Sequence, residues 1–243
     1  MRAYMADRDA NVMIVFSNDH LLNWPINNLP SYTVGIGSEH VGPADWYDSW
    51  LNQEEKYRVA GHPELARHIV NACAKKGLPT AHLRDMKFDD GISVPTCWLN
   101  PDNKMKLVPI SINAACPPIP TPAEVYEVGK LMREVVQSFP GDDRVVLVGS
   151  GGLSHEPGGP RYFYIDDDFD QWFLDLMAEG DHEKVLRECT FEKMEEAGSG
   201  GTVELIAWIL VMAATEGPAT VLDYVKSYSW RCASGWVVWP KVL

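Results

Sequence analysis

Three short apolar runs punctuate the chain: Val12–Phe16, Leu107–Ile112 and Val145–Val148. Each is too short for a helix, rich in β-branched residues and closed by polar or glycine turns, so each predicts a buried strand. Tyr32–Ile36 predicts a further short one. Between them the pattern turns helical. Gly61–Gly77 has Pro63 and Glu64 at its start, Lys75 and Lys76 near its end, and a closing glycine, the order of signals that bounds a helix. Thr121-Pro-Ala-Glu124 opens a second helix through Phe139 with a capping box. Phe169, Trp172, Phe173 and Leu176 recur at helical spacing within Asp168–Ala178, and Asp181–Ala197 reads as a charged helical region. Gly198–Glu204 is a flexible turn that opens a strongly apolar helix, Leu205–Thr215. Leu21–Pro63 is rich in loops, and Phe88–Gly91 reads as a turn. Strands alternating with helices predict one α/β domain over residues 1–243, an αβα sandwich around a central, mostly parallel (mixed) sheet.

Composition narrows the partners more than the fold. The 243 residues carry a net charge of -13, which argues against nucleic acid or an anionic membrane surface as partner. Five scattered cysteines, with no CxxC pair, predict a reducing compartment rather than a disulfide framework. The longest apolar stretch, Leu205–Ala214, is too short to span a bilayer. The first ten residues are polar and charged, unlike a signal peptide. A cytoplasmic protein is expected.

Candidate chemistry gathers at three places. Arg144–Pro157 runs from strand to Gly149-Ser-Gly-Gly152 to His155, placing a histidine on a glycine turn at a strand's carboxyl end, where open α/β sheets bind ligands. Ser17-Asn-Asp-His20 repeats the arrangement after the first run. Alone, His20 reads first as a turn histidine bonded to backbone and only second as a functional group. Glu204 heads an apolar helix. Such a carboxylate either serves the helix amino end or answers a buried cation, and the first is the commoner arrangement. Asp89-Asp90 is an acid pair for metal or proton chemistry, or a solvated turn. His62 reads as a helix cap, His68 as packing or surface, and His40 as a loop histidine.

Six segments then occur in one order: Phe16–His20, Gly61–Ala66, Phe88–Pro95, Val148–Pro157, Asp170–Leu176 and Gly198–Leu205. Together they resemble the class III extradiol ring-cleavage dioxygenases, the superfamily of the protocatechuate 4,5-dioxygenase β subunit. The resemblance implies non-haem Fe(II), in the manner of a two-histidine, one-carboxylate site. His20 and Glu204 match iron ligands, and His155 matches an acid/base beside them. The implied reaction opens a catechol-type aromatic diol with O₂ to a muconic semialdehyde-type product. Cys232-Ala-Ser234-Gly is similar to a segment near the substrate carboxylate, which makes Ser234 a substrate contact. A homo-oligomer, or a hetero-oligomer with a small or paralogous subunit, is implied as well.

Two departures accompany the resemblance. Relatives begin with a strand ending in Ser-His, which supplies a further iron ligand, and no such segment precedes Phe16–His20 here. Relatives also have Asp-His-Gly where this chain has Asp89-Asp90-Gly91, so Asp90 takes the place of an acid/base histidine. Three accounts remain open: a misplaced start, a catalytically impaired or non-catalytic subunit, or His40 as a substitute ligand. Without that strand, Val12–Phe16 is expected to lack a neighbour on one side.

Overall fold

The computed structural model describes every residue of the chain except Glu54, Lys241 and Val242, and the side chains of Asp48 and Trp50. A short helix α1 (Arg2–Ala6) leads into β1 (Val12–Asn18), all seven residues of which are buried. β1 serves two cores at once. Val12, Ile14 and Phe16 point into one, and Met13 and Val15 into the other. Burial on both faces is why the run reads as continuously apolar rather than alternating.

The chain next makes β2 (Tyr32–Gly35), the small ribbon β3 (Glu39–Gly42), α2 (Tyr47–Trp50) and β4 (Tyr57–Ala60). Helix α3 (Pro63–Lys75) has His62 as its N-cap, accepting from Leu65 N–H, and Gly77 at φ +88° beyond its end. After β5 (Ala81–Leu83) come α4 (Asp90–Leu99), β6 (Lys106–Ile112), α5 (Pro122–Gln137) and β7 (Val145–Gly149). The capping box at Thr121 and Glu124 is formed. Phe88–Gly91 is not a free turn. Asp89 caps α4, and the helix begins at Asp90.

The main sheet has the order β5-β2-β6-β1-β7. β1 pairs parallel with both β6 and β7, while β2 runs antiparallel to β6. The expectation that β1 lacks a neighbour is therefore corrected: the chain delivers β6 to one side of β1, and α5 carries it across to place β7 on the other. Helices α3, α5, α6 (Asp167–Glu179) and α9 (Ile206–Thr215) contribute to one core, and α1 and α4 to the other. The expected αβα sandwich with a mixed sheet is what forms. The charged region before α9 splits into α7 (His182–Glu188) and α8 (Phe191–Ala197), because Thr190 starts a new helix as its N-cap. All ten residues of α9 are buried, as an all-round apolar helix requires. No helix among the described residues is long and apolar enough to cross a membrane.

The tail folds as an antiparallel hairpin, β8 (Thr220–Ser227) with β9 (Cys232–Val238), separate from the main sheet. The outer edge of β7 is closed at its start by Leu243, which exchanges both backbone hydrogen bonds with Val145 at 2.9 Å. Beyond that bridge lies a groove of about 250 Å³ between β7 and β9, ending at Gly151 and Gly152.

His40 lies on β3, 2% exposed, stacked on Phe88 at a ring separation of 5.4 Å. Neither ring nitrogen has a hydrogen-bond partner among the described residues. Burial pushes its pKa down to about 4, against the field of Asp85. Between that value and the ordinary 6.5, the unfolded imidazole binds a proton and the folded one does not. His40's contribution is therefore complete above pH 6.5 and is lost as pH falls toward 4. Denaturant titrations across this window should show stability falling by up to about 3 kcal/mol from this group, a component that His40→Phe removes. Equal pH slopes in the two proteins would refute the assignment.

Candidate metal and catalytic site

The site forms at the carboxyl end of β1, between the parallel strands β6 and β7, an end at which open α/β sheets bind ligands. β1 ends at Asn18, and its last residues turn outward. Asp19 fixes that turn by accepting the backbone N–H groups of Leu22 and Asn23, each at 3.2 Å. His20 is thereby carried over the strand end. Its backbone N–H donates to Asp89 Oδ2 at 3.1 Å, and its Nδ1 lies 2.9 Å from the same oxygen. The other Asp89 oxygen accepts from Ile92 N–H at 3.3 Å, as the cap of α4. The start of α4 comes this close because residue 91 is glycine: a Cβ there would sit 2.1 Å from Ser17 Oγ.

Glu204 approaches from the opposite side, on a single 3-10 turn, Thr202–Leu205, that leads directly into α9. It is 8% exposed. Its Oε1 lies 2.8 Å from His20 Nε2 and accepts from Asn18 Nδ2 at 3.4 Å. Its Oε2 accepts the Gly152 N–H at 3.2 Å. His20 is thus the meeting point of two carboxylates, one at each ring nitrogen. Burial alone would lower the His20 pKa, but the Glu204 charge and the bonds to Asp89 and Glu204 outweigh it and hold it well above the ordinary value. Burial would raise the Glu204 pKa, yet His20, His155 and the Gly152 N–H bring it well below the usual carboxylate range.

The donor set suits a cation. With Nδ1–H donated to Asp89, Nε2 presents a lone pair to the Glu204 carboxylate, and something positive must lie between them: a second proton, or a metal ion. Two donors each about 2.1 Å from one metal and at right angles stand about 3 Å apart, close to the 2.8 Å found. A second grouping, His20 with Asp89 and Asp90, has donor atoms within 4.8 Å of one another. Both Asp89 oxygens, however, are already committed to His20 and to the start of α4. The Nε2–Glu204 edge is therefore the better metal position, and Asp89 is the partner that orients the ring.

His155 stands on the loop after β7. Its backbone N–H donates to Thr202 Oγ1 at 3.2 Å, and its Nδ1 lies 2.8 Å from the Leu153 carbonyl. That bond makes Nδ1 the donor and leaves Nε2 as an acceptor. The ring is clasped between glycines: a Cβ at Gly201 would fall 2.6 Å from Nε2, and one at Gly152 2.8 Å from Cε1. The glycine turns that flank both segments are thus needed for contact between them.

Asp90 Oδ1 lies 3.6 Å from His20 Nδ1, at the rim of the same group. Burial pushes its pKa up to about 6, with Asp89 and Glu204 adding to the rise and His20 opposing it. Ser234 lies on β9, paired with Val225, and lines the groove whose inner end is Gly151 and Gly152. His40 is elsewhere, on β3 against Phe88. The structure therefore brings His20, Glu204 and Asp90 together, places His155 on the loop beside Glu204, and leaves Ser234 apart from them, on the wall of the groove between β7 and β9. Sequence reasoning missed Asn18 and the distinct task of Asp89. The signal for Asp89 was its spacing to Ile92, that of an N-cap and its acceptor target.

Comparison with known proteins gives the family. Residues 1–238 match the family described as the catalytic LigB subunit of aromatic ring-opening dioxygenase. A gallate dioxygenase of Pseudomonas putida is 30% identical over 167 residues, covering 68% of this chain and 48% of that protein. A 2,3-dihydroxyphenylpropionate/2,3-dihydroxicinnamic acid 1,2-dioxygenase of Photorhabdus laumondii is 29% identical over 169 residues, 69% of this chain and 50% of its own. The chain thus spans about half the length of the curated relatives it matches. A crystal structure of an uncharacterized protein from Escherichia coli K12 superimposes with a TM-score of 0.57 at 15% identity, covering 97% of this chain and 90% of that one, and so shares the fold. With a sandwich of the same fold and a match across nearly its whole length, this chain belongs to the LigB family of aromatic ring-opening dioxygenase catalytic subunits.

Proposed function

We propose that the chain is an extradiol dioxygenase acting on a catechol-type diol, with Fe(II) held by His20 and Glu204. The observation that carries this reading is the facing of His20 Nε2 and Glu204 Oε1 at 2.8 Å, with Asp89 fixing the other ring nitrogen. Bound Fe(II) would supply open positions for the diol oxygens and O₂. The remaining tasks fall to side chains. His155 Nε2, left as an acceptor by the bond at Nδ1, takes a diol proton and returns it as the ring opens. Asp90, with a pKa near 6, exchanges protons close to neutral pH. Ser234 meets the polar substituent of the substrate along the groove. Both atoms of O₂ end in the ring-opened acid, so the reaction needs no external reductant. Gallate and dihydroxyphenylpropionate, named for the relatives, are the first substrates to try.

The resemblance implies a third protein ligand at the end of a strand. The groove between β7 and β9 opens at Gly151 and Gly152, beside Glu204, and a strand laid along it, from this chain or a partner, would bring that ligand to the pair. A second reading is favoured by the same observation. With two matching ligands near each other and Asp90 in place of a histidine, the chain acts as a non-catalytic subunit that binds metal weakly. Val225, Tyr228 and Trp230, exposed around the β8–β9 hairpin, support an oligomer contact in either case, and a cytoplasmic setting fits both.

Anaerobic loading with Fe(II), followed by iron analysis and exposure to gallate, protocatechuate or catechol in air, separates the two. The enzyme reading expects bound iron and a yellow ring-opened product. Iron without product supports the second reading, and near-stoichiometric iron in both His20→Ala and Glu204→Gln would overturn the proposed ligands. His155→Ala should keep its iron and lose about 10²–10⁴-fold in turnover. Unchanged turnover would remove His155 from the reaction.

Asp89→Asn tests the orienting bond separately, since asparagine still caps α4. Metal affinity should fall about 10–100-fold while circular dichroism stays unchanged. An unaltered affinity would mean that packing alone orients His20.

A further inference from the structure

A second cavity, of about 820 Å³, opens on the loop side of the molecule, between the β3–β4 ribbon, the start of α3 and the segment after β5. Its size is that of a small-molecule site. In a chain of net charge -13, its walls gather cations. Arg67 from α3, and Arg84 and Lys87 from the segment before α4, all line it. None of these three has a carboxylate within ion-pair distance among the described residues. The acids of the same cavity are partly used. Glu39 pairs with Arg58 at 2.7 Å and Asp45 with Lys56 at 3.1 Å. Asp85 is left against the three cations, an unmatched excess of positive charge in one cleft.

His40 packs behind the wall, 2% exposed, with both ring nitrogens buried and its ring stacked on Phe88 at 5.4 Å, so it supports the lining without reaching the cavity's contents. Apolar surface completes the lining, with Trp46 61% exposed at the mouth and Ile36 and Met86 on the wall. Guanidinium forks and an apolar wall together match an organic anion better than an inorganic one: the forks pair with carboxylates, and the wall covers carbon.

We infer that this cavity is a binding site for a small organic dicarboxylate, held by Arg67 and Arg84 against the apolar wall. The site is separate from the His20–Glu204 pair, though the two share a segment. Asp85, Met86 and Lys87 line the cavity, and Asp89, two residues on, holds His20. The inference does not depend on the proposed dioxygenase activity.

The test is calorimetric titration of the full chain, kept metal-free with chelator, using succinate as the probe. Inorganic phosphate and succinamide serve as the inorganic-anion and uncharged arms. Saturable succinate binding is expected, weakened at least tenfold in Arg67→Gln/Arg84→Gln. Glu204→Gln should bind succinate as the unmodified chain does, which separates this site from the metal pair. No binding up to 10 mM (roughly the weakest affinity a specific site would show), equal binding of phosphate or succinamide, or binding unaffected by the arginine pair would each overturn the proposal.

Discussion

His20 is held between two carboxylates that cannot both be satisfied by a neutral ring. Asp89 takes one nitrogen at 2.9 Å and Glu204 the other at 2.8 Å. A neutral imidazole has one proton to donate, so the arrangement demands a cation at the Glu204 edge. Much of the local structure serves that demand. Gly91 lets α4 reach β1, Asp89 closes the helix start, Asp19 turns the chain after Asn18, and Gly152 offers its N–H to the far oxygen of Glu204. Each of these contacts is short in range, but together they join segments lying 184 residues apart in the chain.

Glu204 makes the same point from the side of energetics. It stands at the head of a helix with ten buried residues, where an unpaired carboxylate costs several kcal/mol. The amino end of the helix offsets little of that, because the turn holding Glu204 spends its own N–H groups on backbone carbonyls. What compensates the burial is His20, with Asn18 and Gly152 in support. Removing the histidine therefore leaves a charge in an apolar setting, and stability falls with it. The converse also holds: a cation bound at this edge stabilises the fold it depends on.

The elements that were legible in the sequence are those whose signal is local. β1, β6 and β7 are buried on both faces, so each appears as an unbroken apolar run. α9 is apolar all round, and α5 carries its own capping box. The neighbours of β1 were not legible, because strand pairing joins Val12 to Lys106 and to Val145, and nothing within β1 records either partner. The tail read as scattered aromatic residues, since its hairpin is exposed on one side and carries a register irregularity between Val221 and Asp223. In the site, His20, Glu204 and His155 stood out by type and position. Asp89 and Asp90 did not separate, because which carboxylate turns toward His20 depends on where α4 begins. That start is marked locally by Asp89 as the cap of Ile92, but how near it comes to β1 depends on Gly91 lying against Ser17, which no local pattern encodes.

Charge explains how the two cavities differ. Around His20 the acids Asp89, Asp90 and Glu204 lie within a few ångströms of one ring, and Asp19 sits on the same turn. An anion that approaches His20 meets a field that repels it, offset only by the cation at the Glu204 edge, either a second proton on His20 or a metal ion. The cleft at Arg67 and Arg84 carries the opposite field and needs no such offset. In a chain this acidic, the field in that cleft favours an anion more than the field beside His20 does.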